Sequence, residues 1–367
     1  MKMAGIIFSN IHDNAMGELT RERTVASLPF GGRYRQVDFT LSNMVNSNIF
    51  TIGIITKYNY QSLMDHLSSV SEWDLNRKNG GLFFLPPFVT GNNGIYRGKL
   101  EALHSAISFL EKVKAEYVML SGTTVICNIN YEKVLQSHID SGADVTVVAN
   151  KESGGKNCEV VIKADGNTAS LIALDAPVCN DFVGMEMYVI ERELLLNVVK
   201  SSVSHGLYHF EREFLQKRLL DHSLSINVYP FDGVVLRNDS VPQFYKNNLA
   251  LIDEDIRSGI FKQDAPIYTK TLDEEPTFYR DKSLVDNCLI ANGCTIGGNV
   301  YNSVIFRDVK IEQGAVVKNS VIMQGTTIGR NSHIEQAIID KDVCVAPFRV
   351  LVGAASSPVI IKKGERV

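Results

Sequence analysis

At 367 residues, 45% of them hydrophobic and 21% charged, the chain has the composition of an ordinary globular protein and the length for two domains with separate cores. A net charge of −4 lacks the basic surplus that nucleic acid or an anionic membrane would call for, so neither is expected as a partner. The six cysteines (Cys127, Cys158, Cys179, Cys288, Cys294 and Cys344) show no CxxC pairing and no histidine at metal-ligand spacing, and no apolar run is long enough for a signal segment or a membrane span. The expected location is the cytoplasm.

The first two thirds of the chain alternate short apolar runs with amphipathic stretches. Strands are expected at residues 3–8, 51–56, 117–121, 144–149, 159–162, 186–190 and 225–229, and helices at 39–46, 61–67, 100–113, 131–141 and 209–221. Apolar strands separated by helices predict a parallel sheet covered on both faces, with ligands beyond the carboxyl ends of its strands. A further helical stretch is expected at 247–256. A linker over 257–277, extended from Ala265 and marked by Pro266 and Pro276, then separates an α/β domain (1–256) from a second domain (278–367).

The last third changes rhythm. Apolar doublets recur at Leu289-Ile290, Val304-Ile305, Val321-Ile322 and Ile338-Ile339, and a second series runs in step through Ile296, Ile311, Ile328 and Val345. Turn-like pieces such as Asn292-Gly293, Gly297-Gly298 and Gly329-Arg330-Asn331 fall between them. A fixed advance of about 15 to 17 residues, enough for three short strands, predicts a parallel β-helix whose coils bury their apolar side by stacking.

The segment Leu28-Pro29-Phe30-Gly31-Gly32-Arg33-Tyr34-Arg35, with Asp38-Phe39 and Leu41-Ser42-Asn43 after it, is similar to bacterial ADP-glucose pyrophosphorylase (glucose-1-phosphate adenylyltransferase). So are Ser121-Gly122, Ser137-His138-Ile139, Ala143-Asp144-Val145-Thr146 and Ala337-Ile338-Ile339-Asp340-Lys341. Within that family the chain most resembles the GlgD-type subunit, a non-catalytic partner of a catalytic GlgC-type chain. The resemblance spans nearly the whole sequence. It implies an α/β fold in which a Rossmann-like nucleotidyltransferase domain is followed by a left-handed parallel β-helix. It also implies a place in glycogen synthesis, where the family makes ADP-glucose and pyrophosphate from ATP and glucose 1-phosphate.

The chemistry of that reaction makes demands that this sequence does not meet. A triphosphate needs a glycine-rich turn after the first strand, where backbone N–H groups close on phosphate. The family pattern Leu-Ala-Gly-Gly-x-Gly-x-Arg-Leu aligns without a gap, and its three glycines and its arginine fall on Asn10, Ile11, Asp13 and Ala15. A divalent metal held by carboxylates must bridge the phosphates. The metal-holding aspartate after Ser-Gly is here Thr123, and the second aspartate falls near Leu236-Arg237-Asn238-Asp239, with Asp239 one candidate. The lysine of the family's Glu-Lys-Pro becomes Ala176, that of Arg-Ala-Lys-Pro becomes Val25, and Gly-Thr-Ala-Asp-Ala reads Gly98-Lys99-Leu100-Glu101-Ala102. One lost transition-state contact costs on the order of 10²–10³ in rate. Several together predict a chain that is inert alone, with no catalytic residue and no bound Mg²⁺.

The cationic residues Arg23, Arg35 and Lys341 match the family's effector region and predict a site for a phosphorylated small molecule. The family's assembly implies a heterotetramer with a catalytic ADP-glucose pyrophosphorylase subunit, and homodimers when the chain is made alone. Two other readings compete with this one. The chain could be an active nucleotidyltransferase with a divergent phosphate loop, or the β-helix could be an acyltransferase using His333, the single histidine of the repeat region.

Overall fold

The computed structural model describes residues 2–87, 96–153 and 155–367, and the chain divides into two compact units. One comprises residues 1–11, 40–60 and 69–235; the other comprises 12–39, 61–68 and 236–367.

The first unit is built on one sheet. In chain order its strands are β1 (Met3–Phe8), β2 (Thr51–Ile55), β3 (Gly81–Leu85), β4 (Tyr117–Ser121), β5 (Val145–Glu152), β6 (Asn157–Asp165), β7 (Thr168–Pro177), β8 (Asp181–Glu191) and β9 (Ile226–Pro230). They lie side by side in the order β3-β2-β1-β4-β8-β5-β9-β7-β6. The expected parallel sheet is corrected to a mixed one. Neighbours from β3 to β4 are parallel, but β8 runs antiparallel to both β4 and β5, and β7 runs antiparallel to both β9 and β6. The cause is local: no helix separates β5, β6, β7 and β8, and without a crossover consecutive strands can only fold back on one another.

Helices Lys99–Ser105, Ile107–Lys112 and Arg192–Ser204 contribute to the apolar cluster on this sheet, where Leu103, Leu110, Leu195 and Val199 meet Ile6, Val118 and Ile190. The single helix expected at 100–113 is broken at Ala106, whose φ/ψ of −95° and 9° lie outside the helical region. The stretch expected at 209–221 opens with a π-helical turn, Phe210–Gln216, before the α-turn Lys217–Leu220. The helix Tyr131–Ser141 has the bounds expected of it: Asn130 caps its first N–H groups, and Gly142, in the left-handed region, ends it. Among the described residues no helix is long and apolar enough to cross a membrane.

In the second unit, residues 278–361 coil into three parallel sheets of five short strands each. The doublet series forms one face, with Ile290, Ile305, Ile322, Ile339 and Ile361 in register from coil to coil. The second series forms another face, with Ile296, Ile311, Ile328 and Val345 aligned. The third face is the column Val285, Val300, Val317, Ile334 and Leu351. Each coil must turn sharply at its corners, and left-handed residues recur there at the repeat spacing. One corner column is Asn287, Asn302, Asn319 and Gln336; another is Gly293, Asp308, Gly325 and Asp342. Asparagine, aspartate and glycine tolerate that conformation best, so they punctuate the repeat. The helical stretch expected at 247–256 is two helices, Val241–Ala250 and Glu254–Ile260, with Asp253 between them accepting from the N–H groups of Asp255 and Ile256.

Ile322 is fully buried in the middle coil. Ile322→Ala should cost about 2–5 kcal/mol, because a stacked coil cannot collapse onto the cavity without disturbing both neighbours. A lowered urea midpoint checks this; an unchanged one would mean that the column is not a load on stability.

Candidate functional site

In the first unit, β1 and β4 are parallel neighbours, with Ile7 level with Ser121. The chain reaches β2 and β3 on one side of β1 and β4 on the other, so the strand order reverses at this pair, the place where open sheets of this kind take ligands. Asn10 and Ile11 leave β1 there, and Gly122 and Thr123 leave β4. Asn10 is buried, and its Oδ1 accepts from the Tyr96 hydroxyl at 3.2 Å. Ile11 packs its side chain against the core cluster. Thr123 is buried as well, and its hydroxyl has no hydrogen-bond partner among the described residues. Ala176 lies in β7 opposite Cys158, half-buried against the small cluster of Val161, Val178 and Val183.

In the second unit, Asp13 and Val25 meet. The Asp13 carboxylate is buried and accepts from the Val25 backbone N–H at 2.7 Å, while the Thr20 hydroxyl donates to the Asp13 carbonyl at 2.6 Å. The Val25 side chain is buried, whereas Ala15 is exposed. In the stretch 236–239, where a second metal aspartate is expected, the candidate Asp239 is exposed and accepts from the Ser240 hydroxyl, and Asn238 is buried with its Oδ1 accepting from the Asn247 amide at 2.9 Å.

The same unit contains a cavity of about 180 Å³ beside the hairpin of Pro29–Phe30 and Tyr34–Arg35. Five cationic side chains line it: Arg33, Arg35, Lys270, Arg307 and Lys341, with Asp65 as the acid among the lining residues. Arg35 is anchored by its Nη1, which donates to the Ser62 carbonyl at 2.6 Å and to the Ser62 hydroxyl at 2.9 Å. Below it, Asp38 is a buried hub that accepts from the Arg35 N–H, from the Thr269 hydroxyl at 2.6 Å and, at 2.6 Å, stands against His66 Nε2. Burial and then the Arg35 charge hold the Lys341 ammonium below the ordinary lysine range. Burial likewise draws Arg307 down, with Glu274 at 3.4 Å opposing the shift. Crowded cations that burial pushes toward neutrality are stabilised by an arriving anion.

Of the three residues expected to bind an effector, Arg35 and Lys341 line this cavity, and Arg23 is not among its lining residues. Arg23 is buried, donates through Nε to the Leu19 carbonyl at 2.9 Å and is ion-paired with buried Asp340. Arg33, Lys270 and Arg307 were not singled out from the sequence as binding residues. Only Arg33 adjoins the motif, and nothing local to Lys270 or Arg307 marks them. His333 stands half-exposed on a coil face, 3.1 Å from Glu335 of its own strand.

A family model described as nucleotidyl transferase matches residues 16–227, more than half of the chain. The chain belongs to the nucleotidyl transferase family. A second model, described as the GlmU-like C-terminal hexapeptide, matches residues 275–357, in keeping with a left-handed parallel β-helix. Over 364 residues the chain is 38% identical to the glycogen biosynthesis protein GlgD of Geobacillus stearothermophilus, covering 99% of this chain and 96% of that protein. It is 33% identical to the GlgD of Bacillus subtilis (strain 168) over the same shares. A glucose-1-phosphate adenylyltransferase of Bacillus mycoides (strain KBAB4) is 30% identical over 94% of this chain and 93% of its own length. Among these nucleotidyl transferase relatives, the chain is of the GlgD type.

Because Asp340 is buried against it, Arg23 is expected to serve stability first. Arg23→Met should cost about 3–5 kcal/mol by stranding that carboxylate, and Arg35→Ala clearly less. Denaturant unfolding of the two variants checks the order; equal losses would contradict it.

Proposed function

We propose that this chain is a non-catalytic regulatory subunit in glycogen synthesis, acting on a catalytic glucose-1-phosphate adenylyltransferase homologue. The observation that carries the reading is Thr123. At the carboxyl end of β4, where the family's chemistry calls for a metal-holding acid, stands a buried hydroxyl. At that position Thr123 offers only a neutral hydroxyl to Mg²⁺, a hard cation that prefers carboxylate oxygen.

The other substitutions point the same way. Ile11 turns a bulky side chain to the core where bare backbone should face phosphate. The Asp13 carboxylate is engaged by the Val25 N–H, so the substituted loop is closed by its own bonds. The likeness to GlgD proteins over 96% of their length supports placement in glycogen synthesis.

The cationic cavity gives this subunit a means of sensing a ligand. Arg35 and Lys341, with Arg33, Lys270 and Arg307, form the site of a phosphorylated small-molecule effector, which Arg23 supports through its hold on Asp340. To regulate, the chain must bind one conformation of its partner more tightly than another. The assembly is a heterotetramer with the catalytic subunit in the cytoplasm, and a homodimer when the chain is made alone.

Assayed alone with ATP, Mg²⁺ and glucose 1-phosphate, the chain should release pyrophosphate at less than about 10⁻⁴ of the catalytic homologue's rate, since lost contacts of this kind each cost on the order of 10²–10³. A rate within tenfold of that homologue would reject the reading. Sulfate, whose charge is constant over this range, should bind the cavity and weaken as pH rises toward 10. The reason is that the depressed Lys341 ammonium loses its proton earlier than an ordinary lysine. Lys341→Ala should weaken sulfate roughly tenfold, the worth of one charge-assisted contact, and flatten the pH profile. Calorimetric titration checks both, and a profile unmoved by the substitution would exclude Lys341 from the site.

A further inference from the structure

The crevice at the ends of β1 and β4 holds a buried ion network that the preceding account does not use. Lys99, the first residue of its helix, is 6% exposed and ion-paired with Glu211, which is 9% exposed. Glu211 sits in the π-helical turn Phe210–Gln216, and its carboxylate also accepts from the buried Tyr188 hydroxyl at 3.1 Å. The Lys99 ammonium lies 6.0 Å from the ring centre of Phe8, the last residue of β1. It lies 5.8 Å from that of Tyr188, which pairs with Leu120 of β4. The network therefore stands where the strand order reverses.

Glu186 completes it. This residue sits at a bulge in β8 with φ of 55°, in the left-handed region that side-chain-bearing residues seldom adopt. Its carboxylate fills the space beside Gly122 that a Cβ would need, directly before Thr123. The Glu159 carboxylate comes within 4.8 Å of it. Burial opposes the Lys99 charge, but Glu211, Glu186 and Glu159 outweigh burial and hold the ammonium above the ordinary lysine range. One ammonium thus faces three carboxylates. These carboxylates compete with an arriving phosphate for the ammonium.

We infer that Lys99, Glu211 and Glu186 are specificity-determining residues that plug this crevice, filling with their own ion pair the ground that a nucleotide or sugar phosphate would occupy. The inference rests on the non-catalytic reading and deepens it. Substrates are excluded by charge and by volume, not only left without catalytic partners.

The test is calorimetric titration of glucose 1-phosphate, and separately of Mg·ATP, into the full-length chain and its variants. Wild type should show no binding up to about 10 mM. The variant Lys99→Thr/Glu211→Ala should gain at least tenfold, to a Kd at or below about 1 mM for one of the two ligands. Removing both charges avoids stranding either, and an unfolding transition shows that the variant is folded. Should that variant not fold, Glu186→Gly, whose backbone angle suits glycine, should give a gain of the same sign. Folded variants with no gain overturn the plug while leaving the non-catalytic reading intact. A wild type that binds as tightly as the variants also overturns the plug, and if it turns substrate over as well, the reading beneath it falls too.

Discussion

A phosphate group that leaves water needs its charge matched by cationic side chains, N–H groups or a metal ion. The two units of this chain differ on that one constraint. At the strand ends of the first unit a single ammonium meets three carboxylates, close to the buried hydroxyl of Thr123. In the second unit five cationic side chains share a cavity with one lining acid. The first arrangement suits exclusion of a triphosphate; the second suits capture of a smaller anion.

On the non-catalytic reading proposed above, several of the altered positions have structural partners. Asp13 secures Val25, Ile11 joins the core and Asn10 receives the Tyr96 hydroxyl. A nucleotidyl transferase fold does not fix a role by itself, so function has to be argued from the site.

The β-helix was the most legible part of the sequence, because burial there depends on one column per face. The doublet and singlet series landed on two faces in register, and the glycine and asparagine punctuation landed on the corners. The α/β unit was harder. Strand β3, a five-residue apolar run, could not be told from core by period, and β7 is largely exposed with a register shift between Ala169 and Leu171 that breaks its alternation. Helix Arg192–Ser204 buries Leu195, Val198, Val199 and Ser202 along one face, but it follows β8 with no break in composition. Of the cationic cavity, the Arg33-to-Arg35 motif and Lys341 were visible in sequence. Lys270 and Arg307 join them only through folding of distant segments, as does the Glu211 partner of Lys99.

The most direct measurement co-expresses this chain with the catalytic glucose-1-phosphate adenylyltransferase homologue of the same organism and compares the purified complex with that homologue alone. The account predicts that the two chains co-purify and that kcat, KM or effector response shifts at least severalfold in the complex. Co-purification without any change in those parameters, or no association at all, would contradict it.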